Sequence, residues 1–247
     1  MKKTLIIFGV AGLFAACSPS KKETATQPVS IEQAINKQLT YGSAYDVDSN
    51  EYKTIVIGTQ TWFAENLRAE KLNDGTPIAN VTENAAWTSN QEPAFAAYNN
   101  EMPVTAHGLL YNYKAIEGGN LCPEGWRVPA DEDWNKLIDN IGGQEKAAIA
   151  LKSKDMFSLE DEKEKATNAS GFSALPSGFR ERDGGFYVMG ENALWWSQTP
   201  RVRVDEKGTV LDTDTHNGMY YSADKNTNTN HSHIARAVGL SVRCVKK

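Results

Sequence analysis

Few residues in this sequence are placed to do chemistry. His231-Ser232-His233 puts two imidazoles on the same side of an extended segment, half of a zinc site that His216 could join. No cysteine or carboxylate stands at a spacing that completes it, so an exposed polar loop is the plainer reading. Nucleophilic catalysis finds no footing, because there is no Gly-x-Ser-x-Gly elbow. Gly184-Gly185 reads as a hairpin turn and not as a phosphate loop. No catalytic set, metal set or cofactor motif emerges, and the chain reads as a non-enzyme. Aromatic residues are the richer resource. Neighbours on a strand face opposite ways, so one of Trp195 and Trp196 looks away from the core. It then packs under a loop or lies exposed as a stacking platform, with Tyr220 and Tyr221 as further candidate contacts.

The first cysteine has a different use. MKKTLIIFGVAGLFAAC opens with lysines, runs apolar from Leu5 to Ala16 and reaches Cys17, the layout of an export signal too short for a comfortable membrane span. Leu13-Phe14-Ala15-Ala16-Cys17 resembles a bacterial lipobox, with Phe14 where leucine is usual. In that signal the cysteine carries acyl chains such as palmitate, and each buried methylene contributes about 0.8 kcal/mol to anchoring. An ordinary cleaved signal peptide is the alternative. The expectation is a chain in the cell envelope, lipid-anchored to a bacterial outer membrane, with its face left open. Disulfides persist there. Cys122 and Cys244 remain, an even number with one pairing available, and two buried free thiols are the alternative.

Those residues need elements to position them. The chain has 247 residues, 40% of them hydrophobic, which is enough for a substantial core. A net charge of −5 argues against a nucleic-acid partner. Residues 1–16 form the signal peptide, 17–45 the lipidated N-terminus and a polar tether, and 46–247 the folded domain. Within the tether, Ile31, Ile35 and Leu39 could form a short docked helix or part of a stalk. YKTIVIG and TWFAENL predict a hairpin turned at Gly58, and LLYNY a strand or a helix start. Pro129 and three acidic residues open a helix whose stripe is Trp134, Leu137, Ile138 and Ile141, ended by Gly142-Gly143. QEKAAIALKS predicts a second helix. Residues 171–190 read as a hairpin, RVRVDEKGTVLD as a further hairpin around Lys207-Gly208, and 193–199, 218–223 and 240–247 as strands, with a polar excursion between the last two.

Six stretches together resemble a known family. GTQTWFAENL, HGLLYNYKAI, CPEGWRVPADEDW, GFSALPSGFRERDGGF, LWWSQT and GLSVRCVKK are similar to successive blocks of the Fibrobacter succinogenes major paralogous domain, in that family's order. The resemblance implies an α+β, C-type-lectin-like domain with two helices and a mainly antiparallel, loop-rich sheet. It implies a bond between Cys122, near a helix, and Cys244, in the last strand. It also implies that Trp126 and Trp134 are core residues. Ala130 departs from the serine or threonine common at that helix cap.

The same resemblance raises two site questions. Calcium-dependent lectins of this fold carry Glu-Pro-Asn or Gln-Pro-Asp and Trp-Asn-Asp triplets, and neither stands in the matching region. Asp205-Glu206 and Asp212-Thr213-Asp214 could offer oxygens, but solvated acids on a hairpin are the plainer reading. Formylglycine-generating oxidases share a motif like RVPADEDW, yet they need two reactive cysteines late in the domain and only Cys244 lies there. The expectation is therefore a non-catalytic module with no cofactor, binding a glycan, a cell-wall polymer or a protein partner. Its loop-rich side is built from residues 80–108 and 200–236. A structural subunit of a surface assembly is the alternative, and an enzyme related to those oxidases a remote one.

Overall fold

The computed structural model describes residues 29–102, 106–157, 166–223 and 229–247, with the backbone alone over 212–221 and 229–230. In chain order the first elements are α1 (Ile31–Ala34), β1 (Gly42–Tyr45), β2 (Glu51–Ile57), β3 (Gln60–Phe63), β4 (Ala79–Asn80), α2 (Asn84–Ser89), β5 (Ala94–Ala96) and β6 (Leu110–Tyr111). Then come α3 (Tyr113–Glu117), β7 (Trp126–Arg127), α4 (Asp131–Ile141) and α5 (Gln144–Ala150). The chain continues with β8 (Ser177–Arg180), β9 (Phe186–Met189), β10 (Ala193–Val204), β11 (Val210–Ala223), β12 (Thr229–Ala235) and β13 (Val245–Lys246). This is an α+β fold. Its four sheets among the described residues run β1-β2-β3-β13-β7, β10-β11-β12, β4-β5-β6 and β8-β9. All pairings are antiparallel except β4 with β5.

β-Branched and aromatic residues make β2 a strand, and Gly58 turns it into β3 at a φ of 60° that a side chain would resist. The late strand β13 enters the same sheet between β3 and β7, where Val245 pairs with both Trp62 and Arg127. Apolar residues cover both faces of this layer. Strand alternation then sends sequence neighbours into two different cores: Phe63, Cys244 and Trp196 into one, Trp62, Val245 and Trp195 into the other. In the second core Trp134 from α4 lies 5.0 Å from the Trp62 ring and 5.7 Å from that of Trp195. Trp126 is only half-buried and rests edge-on against Phe63 at 4.7 Å.

Cys122 and Cys244 are bonded, with their Cα atoms 6.0 Å apart and a sequence separation of 122. On chain-entropy grounds a loop of that length makes the bond worth about 5 kcal/mol.

The structure corrects several expectations. Helices α4 and α5 match the two that the sequence predicts, but α1, α2 and α3 are present as well. Helix α1 takes the docked alternative left open for Ile31 to Leu39, α3 starts at the end of LLYNY, and α2 is too short for an apolar stripe to announce it. Docked structure is also present ahead of Asp46. Helix α1 docks through buried Ala34, whose carbonyl accepts from Ser153 Oγ at 2.7 Å and Asn168 Nδ2 at 3.0 Å, and β1 pairs with β2. Residues 17–28, with Cys17, lie outside the described residues. The polar excursion ahead of the last strand contains β12, which pairs with β11 from Asn217↔Ala235 to Ala223↔Thr229. Its polar residues hid it because an edge strand needs backbone partners more than apolar side chains.

Candidate functional site

Two places concentrate polar or exposed groups, one buried and one projecting. The buried one centres on Asn66, which follows β3 and is 1% exposed. Its Oδ1 accepts from Trp195 Nε1 at 2.9 Å and from Arg243 Nε and Nη2 at 3.1 and 2.7 Å. Its Nδ2 donates to the His107 carbonyl and Ser177 Oγ, both at 2.9 Å, and to Ser241 Oγ at 3.3 Å. Arg243 is fully buried, donates also to the Phe172 and Ser173 carbonyls, and lies 4.4 Å over the Phe172 ring. Burial pushes this guanidinium down to about 9, so it remains charged at neutral pH. Arg180 is held the same way, by the carbonyls of Gly184, Val81 and Thr82 and by the Trp87 ring at 4.4 Å. Such groups clamp segments of the chain together. Asn66, Ser177, Trp195 and Arg243 come from four of the six sequence blocks, and those blocks meet here as framework.

Two serine and histidine pairs invite a catalytic reading, and geometry argues against both. Ser177 Oγ sits 3.4 Å from His107 Nδ1, but this hydroxyl is buried and lies as near to the His107 and Leu175 carbonyls, both at 3.2 Å. Burial pushes the His107 imidazole down to about 4, so it is neutral at pH 7. Ser197 Oγ donates to Asp131 Oδ1, and Asp131 Oδ2 meets His231 Nε2 at 3.0 Å. Here the carboxylate stands between hydroxyl and imidazole, the reverse of the order in which histidine takes a serine proton.

The projecting candidate is the β10-β11 hairpin. β10 changes character along its length: Ala193 to Ser197 are buried, and Val202 to Val204 are exposed. Pro200 marks the break, with register shifts on both sides of it. Proline has no N–H to give a ladder and is tolerated at edges and bulges, and β10 is an edge strand. Beyond Pro200 the strands leave the core yet stay paired, Val202↔Thr213 and Val204↔Val210. Asp205 closes the turn, accepting from the N–H groups of Lys207 and Thr209 at 2.8 Å each. The Thr209 bond first, and then that of Lys207, holds its carboxyl below the usual range. Val202, Val204, Val210 and Leu211 are 43, 54, 63 and 60% exposed. Single exposed aliphatics are ordinary; here Val204 and Val210 stand opposite each other across the ladder, while Leu211, next to Val210, points to the other face.

The site residues expected from sequence fare unevenly. Trp195 and Trp196 are 2% and 0% exposed, so neither is a stacking platform. Trp196 lies in the first core, where its Nε1 donates to the Tyr111 carbonyl at 2.7 Å, and Trp195, turned the other way, enters the second. Tyr220 and Tyr221 pair with them across the ladder, but their side chains lie outside the described residues, as do those of His216, Asp212 and Asp214. Asp205, a candidate calcium ligand by sequence, is engaged by its own turn. Among the described residues no group of three His, Cys, Asp or Glu could hold a metal ion, and no helix is long and apolar enough to cross a membrane. Sequence reasoning missed the Asn66 network, because its members are far apart in the chain. It also missed the hairpin aliphatics, which read as ordinary strand residues.

Geometry thus defines a disulfide-clasped α+β domain with an internally bonded frame and a β10-β11 hairpin that carries exposed aliphatic side chains. A family model for the Fibrobacter succinogenes major domain matches residues 55–246, and the chain belongs to that family. No curated protein and no solved structure matches it.

Proposed function

We propose that this is an exported, lipid-anchored, non-catalytic recognition module of the cell envelope that binds a protein partner through the β10-β11 hairpin. The exposure of Val202, Val204, Val210 and Leu211 on a strand pair that has left the core carries this reading. Aliphatic side chains on an extended edge suit a protein surface better than a glycan, which calls for exposed aromatic faces. A C-type-lectin-like arrangement belongs to the same proposal. It is supported by the return of the late strand β13 beside β3 and by the cysteine link from ahead of α4 to that strand. A structural subunit of a surface assembly would use the same hairpin, as a stoichiometric and permanent contact.

Site-specific photocrosslinking tests the reading. A crosslinker at position 204 of the full chain in intact cells should trap one defined protein. Val210→Lys with Leu211→Lys should abolish that crosslink and leave the melting temperature unchanged. Crosslinks that survive both lysines, or soluble glycans that compete them away, would sink the protein-partner reading.

A further inference from the structure

A single short segment holds the four sheets together. The Gly239 N–H and carbonyl bond Arg180 of β8 at 2.8 and 3.0 Å, and those of Leu240 bond Tyr111 of β6 at 3.0 and 2.8 Å. Ser241 donates to Leu194 and accepts from Trp196, both on β10, at 3.2 and 3.1 Å. The Cys244 carbonyl accepts from Phe63 of β3 at 2.9 Å, and β13 then completes the first sheet. Each of the four sheets is therefore bonded, backbone to backbone, to residues 239–246. The side chains of the segment are equally tied into the interior. Leu240, Val242 and Cys244 are 0% exposed and Val245 1%. Arg243 supplies the cation that Asn66 holds.

This segment is also the last part of the domain to be synthesised. None of the four sheets can reach its final packing before it arrives. One covalent contact then ties it to residue 122, halfway back along the chain. We infer that residues 239–246 are the closing element of the domain and that the Cys122–Cys244 bond is a redox lock on them. With both cysteines as thiols the segment comes and goes and the whole domain opens with it; with the bond formed it stays shut. Forming the lock takes two thiols to one disulfide. Two electrons and two protons pass to a disulfide donor, which is itself reduced to two thiols. A reducing cytoplasm would keep the chain loose enough to thread an export channel, and an oxidising envelope would fix it afterwards. The setting rests on the export reading above; the lock itself does not.

The test compares the full chain in its oxidised form with the same chain reduced in urea and refolded in dithiothreitol, and with Cys122→Ala/Cys244→Ala. Loss of the link should lower the folded-to-unfolded ratio on the order of a thousandfold. Amide-exchange protection should fall by the same factor in all four sheets, because they share one closing segment. A fall of less than tenfold, or one confined to β7 and β13, overturns the lock. Alkylation trapping in intact cells examines the setting separately. Both cysteines should resist alkylation; recovery as free thiols overturns the export setting, while the lock stands or falls on the exchange comparison.

Discussion

At the scale of single residues, Asn66 does more than any other side chain to join distant parts of the chain. It bonds Trp195 and Arg243 through one atom and His107, Ser177 and Ser241 through the other. An unpaired buried charge costs more than the pair contributes when intact. Asn66→Ala leaves Arg243 with fewer acceptors and two serine hydroxyls without their donor. It should therefore destabilise the domain by about 3–5 kcal/mol, read as a lowered urea midpoint. A loss below about 1 kcal/mol would mean that carbonyl groups alone suffice for Arg243. Nothing in the sequence marks Asn66, because the partners of its side chain lie 41 to 177 positions away.

At the scale of elements, α4 illustrates a local defect repaired from afar. Ala130 occupies its N-cap and has no oxygen to offer the first turn. Thr199, from β10, accepts instead from the Asp131 N–H at 2.8 Å, and Asp133 reaches back to the Ala130 N–H at 2.7 Å. Capping bonds of this kind are worth about 1 kcal/mol. Thr199→Val should lower stability by about that much, and Ala130→Ser should raise it by about 0.5–1 kcal/mol. Chemical denaturation of both single variants and the double would check the two effects and their near-additivity. The acidic first turn and the Gly142-Gly143 stop are legible in the sequence, since both act within one turn of the helix itself. The borrowed threonine is not, because only packing brings residue 199 to residue 131.

At the scale of the whole molecule, the domain divides into a frame and an appendage. The frame is two cores on opposite faces of one sheet, closed by a segment that touches every other sheet. Beyond Pro200 the described side chains of the hairpin, at 201–204 and 210–211, belong to neither core. Replacing residues 201–216 with a two-residue Asn-Gly turn should keep a cooperative transition within about 5 °C of the parent, a shift of about 1 kcal/mol. A collapse of the transition would show that the hairpin belongs to the frame. The sequence by itself determined the family, the α+β class, the two main helices and most strands. The helices and strands rest on periodicities and turn residues that operate over a few positions, and the family and class on the resemblance of six ordered blocks. It also narrowed the late cysteines to one pairing, by counting. Tertiary structure alone decided that both Trp195 and Trp196 are buried, that β12 is a strand, that α1 docks ahead of the expected domain start, and that Val202, Val204, Val210 and Leu211 stand exposed on the hairpin. Burial is a property of what covers a residue, and here the cover comes from segments that meet only when the chain closes on itself.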